Sequence, residues 1–209
     1  MGHITTGDGL SAMPPVDRAR VEAAVHELLL AIGEDPTRPG IERTPQRVAE
    51  SYVEFFHGVS EDPLVHLADC VPLGAADDGG ETTSDAVIVR DLAFRSMCEH
   101  HLLPFTGVAH VAYLPHERVI GLGRIPLVID TLAARPQLQE RLAEEIADAL
   151  DAGLEPRGVL VVLDAAQQCV STRGPRQVAS STVTIASRGE LTEPAARSEI
   201  MALIGARRD

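Results

Sequence analysis

Tryptophan is absent and aromatic residues make up only 3% of this 209-residue chain, so its interior has to be built from Leu, Val, Ile and Ala. Cysteine is scarce too. Three residues, an odd number, are too few for a disulfide framework and suit a reducing compartment. Positive charge is in deficit: 18 Lys plus Arg stand against 31 Asp plus Glu, a formal net charge of −13. Such a surface lacks the basic footprint that nucleic acids and anionic membranes require, although a few arginines inside a cleft can still hold a small anion. No apolar run approaches the roughly 20 residues of a membrane span. The N-terminal stretch lacks the basic, apolar and cleavage-site succession of a secretory signal. What is present is 44% hydrophobic and 23% charged residues, enough for a packed core. The expectation is a soluble cytoplasmic chain with one main domain and a small appended element.

Along the chain, 1–16 reads as a loose polar tail and 17–67 as a helical arm. In the arm, Val21, Ala24, Val25, Leu28, Leu29 and Ile32 recur at helical spacing before Gly33, and Thr44-Pro45 opens a second helix. The polar stretch 68–85, with Cys70 as an unpartnered thiol, reads as a loop. The main domain then spans 86–209. Strands are predicted at 86–95, 107–114, 158–164 and 180–187, and helices at 123–134, 136–152 and 195–204. The fold class is α+β with an antiparallel sheet.

The densest chemistry is Cys98-Glu99-His100-His101, in the predicted turn between the first two strands. Cys98 and His101 are three apart, so a turn can bring a thiolate and an imidazole onto one metal; the plainer alternative is a buried thiol beside an exposed histidine. Cys169, at the end of a later strand, offers a third donor. Two Cys and one His suit Zn²⁺, and an open fourth position lets a zinc lower the pKa of a water toward ~7. Glu99 and His100 then stand beside the metal, where an unligated histidine can shuttle protons.

SMCEHHLLPFTG (96–107), IGLGR (120–124), RPQLQERL (135–142), CVSTRG (169–174) and RTPQRVAESY (43–52) resemble the signatures of GTP cyclohydrolase I, in order over nearly the whole chain. The resemblance implies the tunnelling fold, an antiparallel sheet backed by two helices, assembled as homodecamers of two pentamers with sites between subunits. It implies zinc held by Cys98, His101 and Cys169, a catalytic His100, and Glu140 reading the guanine edge with Gln139 beside it. A carboxylate can accept two hydrogen bonds from the guanine N–H groups; otherwise Glu140 reads as one more acid on a solvated face. Arg173 matches a triphosphate-binding arginine, Arg124 replaces a lysine of the same duty, and Arg47 matches a basic residue reaching from a neighbour. The activity implied is zinc-dependent hydrolysis of GTP at C8, ending in 7,8-dihydroneopterin triphosphate and formate.

Three positions depart from the family's pattern. Gln167 stands where a histidine is expected two residues before the last cysteine, and an amide cannot exchange a proton near pH 7. Gly123 replaces a serine, and Leu127 replaces an arginine of the triphosphate site, next to Pro126. These changes open a second reading, in which the purine ring is opened but the product is a formamidopyrimidine or diaminopyrimidine nucleotide, from GTP or another guanine nucleotide. A third is a non-catalytic purine-binding paralogue.

Overall fold

The computed structural model describes residues 15–73 and 85–206. Residues 1–14 of the expected tail and 74–84 of the expected loop lie outside them. The chain forms two compact units that divide between Glu61 and Asp62.

In the first unit, α1 (Arg18–Ala31) starts where the Asp17 carboxylate accepts the Arg20 N–H at 3.0 Å. It ends before Gly33, whose φ of 84° few other residues adopt cheaply. The second helix, α2 (Thr44–Phe55), carries Pro45 in its first turn, where the missing N–H costs nothing. Tyr52 packs edge-on against Phe56 at 5.1 Å, and Arg18 pairs with Glu50. Of the apolar stripe predicted on α1, only Leu29 is buried; Leu28 and Ile32 are 58% and 69% exposed.

The second unit begins earlier than predicted. A short 3-10 segment, Pro63–Leu67, belongs to it, because Leu67 is buried in the main core. The expected loop also holds a strand, β1 (Cys70–Pro72), paired antiparallel with β4 (Arg118–Ile120). Cys70 is therefore not a loose thiol; its Sγ–H donates to the Leu67 carbonyl at 3.1 Å.

The main sheet runs β5-β2-β3-β6-β7. Its strands are β2 (Val87–Cys98), β3 (Pro104–Leu114), β5 (Pro136–Gln137), β6 (Gly158–Gln167) and β7 (Thr182–Gly189). All pairings are antiparallel except the short parallel β2–β5 contact. Helices α3 (Arg124–Ala133) and α4 (Gln139–Leu154) cover one face, with Ile125, Ile129, Leu142, Ile146 and Leu150 at or near full burial. On α4 these positions recur at the 3.6-residue period of one helix face. The opposite face carries a smaller cluster, Ala112, Leu160, Val162, Leu191 and Ile200, closed by α6 (Pro194–Gly205). With cover on both faces, β6 is almost entirely buried, which explains its unbroken apolar run. A bulge at Arg90–Asp91 turns the Arg90 guanidinium onto the carbonyls of Leu203, Ile204 and Ala206 at the end of α6.

Gly107 lies opposite Ala165 in the β3–β6 pair. A Cβ there would collide with the Asp164 carbonyl and the Ala165 backbone. Because those atoms belong to a ladder that cannot yield, Gly107→Ala is expected to destabilise the fold by about 1–3 kcal/mol, read as a lower urea midpoint with an unchanged slope.

Candidate active site

One end of the sheet gathers the ends of its five strands and the start of α4. Cys98 closes β2 rather than standing in a loop, and Met97 pairs with Pro104 at the start of β3. The reversal between them is tight. Cys98 N–H donates to Leu103 O at 2.9 Å, Leu102 N–H donates to Cys98 O at 2.8 Å, and Leu102 takes a left-handed φ of 51°. This turn leaves His101 Nδ1 3.8 Å from Cys98 Sγ. Gln167, at the end of β6, is in register with Phe105 near the start of β3, and the one-turn helix α5 (Gln168–Ser171) then presents Cys169.

The donor atoms of Cys98, His101 and Cys169 all lie within 4.8 Å of one another. Atoms held about 2.0–2.3 Å from one tetrahedral zinc are separated by about 3.3–3.8 Å, so small side-chain movements suffice to bind it. The two-thiolate, one-imidazole set is also chemically suited to zinc. Burial first, and then the adjacent Cys98, push the Cys169 thiol up, while Arg173 acts in the opposite direction. A cation between the two sulfurs relieves that repulsion.

His100 stays outside the triad. Its side chain is 63% exposed, with Nε2 3.8 Å from Glu99 Oε1 and its ring edge-on to His101. Glu99 is committed elsewhere: Arg141 grips both carboxylate oxygens, at 2.6 Å and 3.1 Å. That guanidinium holds the Glu99 carboxyl below the usual carboxylate range. Glu99, expected beside the metal, is thus also an ionised two-point partner of α4.

Gln139 also differs from the sequence expectation. It is 3% exposed, and its Nε2 donates to Leu163 O at 3.1 Å and Thr182 O at 2.7 Å. Its Oε1 accepts from Gln167 Nε2 at 2.7 Å. With both amide hydrogens spent on the sheet, its side chain anchors α4 and is not available to a ligand. Between Gln139 and Arg141, Glu140 alone is uncommitted. It is exposed, has no partner among the described residues, and lines a cleft of about 450 Å³ with Arg141, Glu144, Thr184 and Ile185.

The GTP cyclohydrolase I family profile matches residues 21–205. The chain belongs to that family. GTP cyclohydrolase 1 of Leifsonia xyli is 63% identical over 193 residues, 92% of this chain and 98% of that protein. The GTP cyclohydrolase 1 proteins of Rhodopirellula baltica and Streptomyces griseus are 46% and 45% identical, over 90% and 97% of this chain and 80% and 98% of theirs. The antiparallel sheet with its helical backing is accordingly the tunnelling fold of the GTP cyclohydrolase I family.

The arginines assigned by resemblance to this family fall in different settings. Arg173 is exposed, its guanidinium has no hydrogen-bond or ion-pair partner among the described residues, and it is close enough to Cys169 to act on its thiol. Arg124, at the start of α3, is held by Asp69 at 2.7 Å. Arg47 is exposed on α2 of the first unit. Leu127, in the place of a family arginine, is 42% exposed on α3. Arg141 is the residue that the sequence reading missed. The signal was its place immediately after Glu140, masked by the acidic run that follows.

Proposed function

We propose that this protein converts GTP and water into 7,8-dihydroneopterin triphosphate and formate, as a zinc-dependent cytoplasmic enzyme. The observation that carries the reading is the convergence of Cys98, His101 and Cys169 at the sheet end that also holds the start of α4. Zinc held by these three residues, with one position open, supplies activation of water near neutral pH.

The chain's own residues supply the rest. His100, unligated and exposed beside the triad, gives and takes protons as the imidazole ring opens. Glu140 accepts hydrogen bonds from the guanine N–H groups, and its lack of any other partner favours this role over a structural one. Arg173 and Arg124 meet the triphosphate, the latter by exchanging Asp69 for phosphate, and Arg47 of a neighbouring subunit adds to them. A homo-oligomer, a decamer of two pentamers by family likeness, accounts for the exposed apolar residues on edge strand β7, Val183 at 55% and Ile185 at 47%, and on α1. Among the described residues no helix is long and apolar enough to cross a membrane.

A second reading comes from the departures at Gln167, Gly123 and Leu127, the first above all. Gln167 offers an amide, already bonded to Gln139, where the family pattern has a histidine. If that histidine's proton transfer has no substitute, hydrolysis outlives ring closure and a formamidopyrimidine or diaminopyrimidine nucleotide accumulates. Mass spectrometry of zinc-loaded protein incubated with GTP separates the two. The proposed reaction gives dihydroneopterin triphosphate with stoichiometric formate. Ring-opened nucleotide as the major product establishes the second reading, and unchanged GTP overturns both.

A further inference from the structure

We propose that Arg141 is a positioning residue: through its two-point pair with Glu99 it holds the guanine-reading carboxylate of Glu140 in register with the Cys98–His101 turn. This rests on the function proposed above. The N-cap position of α4 is Leu138, which offers no capping side chain, so the placement of the first turn has to come from other contacts. Two side chains of the turn itself provide them, one on either side of Glu140, beside the Thr184 hydroxyl that donates to the Gln139 carbonyl at 3.5 Å. Gln139 is tied to the carbonyls of β6 and β7. Arg141 is tied to Glu99, the residue directly after the ligand Cys98.

Glu99, the first residue after β2, is itself tied to the sheet. Its N–H donates to the Gln137 carbonyl at 3.0 Å, and Cys98 pairs with Gln137 across the β2–β5 contact. The Arg141–Glu99 pair therefore closes a ring of contacts from the metal turn through β5 to the first turn of α4. Its geometry matters more than its charge. Two parallel N–H···O bonds define both a distance and an orientation, whereas a lysine ammonium at the same place fixes only a distance. At 46% and 27% side-chain exposure the pair contributes little to stability. Registration of the reader is what remains for it to do.

The test compares wild type, Arg141→Lys and Arg141→Gln as full-length zinc-loaded enzyme, with GTP and with inosine triphosphate, which lacks the 2-amino group. Zinc content and melting temperature are measured alongside. Both variants are expected to keep wild-type zinc content and melting behaviour. Their kcat/KM for GTP should fall by about 10²-fold, the size of effect that a misplacement of about 1 Å produces. Their preference for GTP over inosine triphosphate should shrink by about tenfold, because the hydrogen bond to the 2-amino group loses its aim. An unchanged nucleotide preference, with or without a loss of rate, overturns the proposal. So does loss of zinc, which would make the pair a support of the metal turn alone. Absence of GTP turnover in wild type overturns the proposed function and this inference with it, whereas wild-type turnover with unaffected variants overturns only the inference.

Discussion

Cys169→Ala is expected to reduce zinc content to near zero and GTP turnover by at least about 10³-fold, since a catalytic metal contributes several kcal/mol and each ~1.4 kcal/mol is a factor of ten. Among the described residues Cys169 is one of three donors within 4.8 Å of one another, so its loss leaves a thiolate and an imidazole, too few to hold the ion. The fold should survive. Cys169 is only partly buried and packs against the edge of the main core, so removing its sulfur opens no internal cavity of consequence. Zinc analysis by mass spectrometry, circular dichroism and a GTP assay on the same sample distinguish loss of metal from loss of structure. A folded Cys169→Ala protein that keeps zinc and turnover would remove the triad from the proposed mechanism.

How much was legible in advance depended on whether the contacts that define an element are local. α4 was readable because its buried positions repeat at the period of a single helix face. The continuous apolar run of β6 announced a strand with cover on both sides. The ends of elements were less readable, because pairing with distant strands sets them. Cys98 belongs to β2 only because β3 and the two-residue β5 bond to it, and Cys70 is in a strand only because β4 lies opposite. On α1 the spacing correctly predicted a helix. That spacing carried no information about what covers the stripe, and Leu28 and Ile32 stand exposed.

The site divides in the same way. A cysteine and a histidine three residues apart are a local pattern, and Cys169, the third donor read from the sequence, is brought beside them by α5 at the end of β6. The contacts of Glu99 and Gln139 were not legible because their partners are remote: Arg141 is 42 residues from Glu99, and Thr182 is 43 from Gln139. Sequence proximity to the motifs suggested chemistry for both residues, and no local pattern announced that both are also tied to other elements. Gln167 illustrates the complementary case. Its substitution for a family histidine was visible in the sequence, but not that its amide would be bonded to the anchor of α4.

Glu140→Ala tests the residue that those contacts leave uncommitted. Its side chain has no partner to lose and is exposed on α4, where a first-turn carboxylate favours the helix dipole by about 0.3–1 kcal/mol. Alanine, the better helix former, offsets part of that, so the melting temperature should stay close to that of wild type. Catalysis should respond very differently. A carboxylate that accepts two charge-assisted hydrogen bonds, at about 1.5–3 kcal/mol each, is worth about 10²–10⁴-fold in kcat/KM for GTP. Glu140→Gln should fall nearly as far, since its amide keeps one acceptor and turns a donor toward a guanine N–H. If Glu140 were one more acid on the solvated face that runs through Glu144, Glu145 and Asp148, both variants would match wild type in rate as well as in stability. Steady-state kinetics with GTP, alongside thermal melts of the same preparations, separate the two, and the reading of Glu140 as the guanine contact fails if kcat/KM moves less than about tenfold, below even one such hydrogen bond.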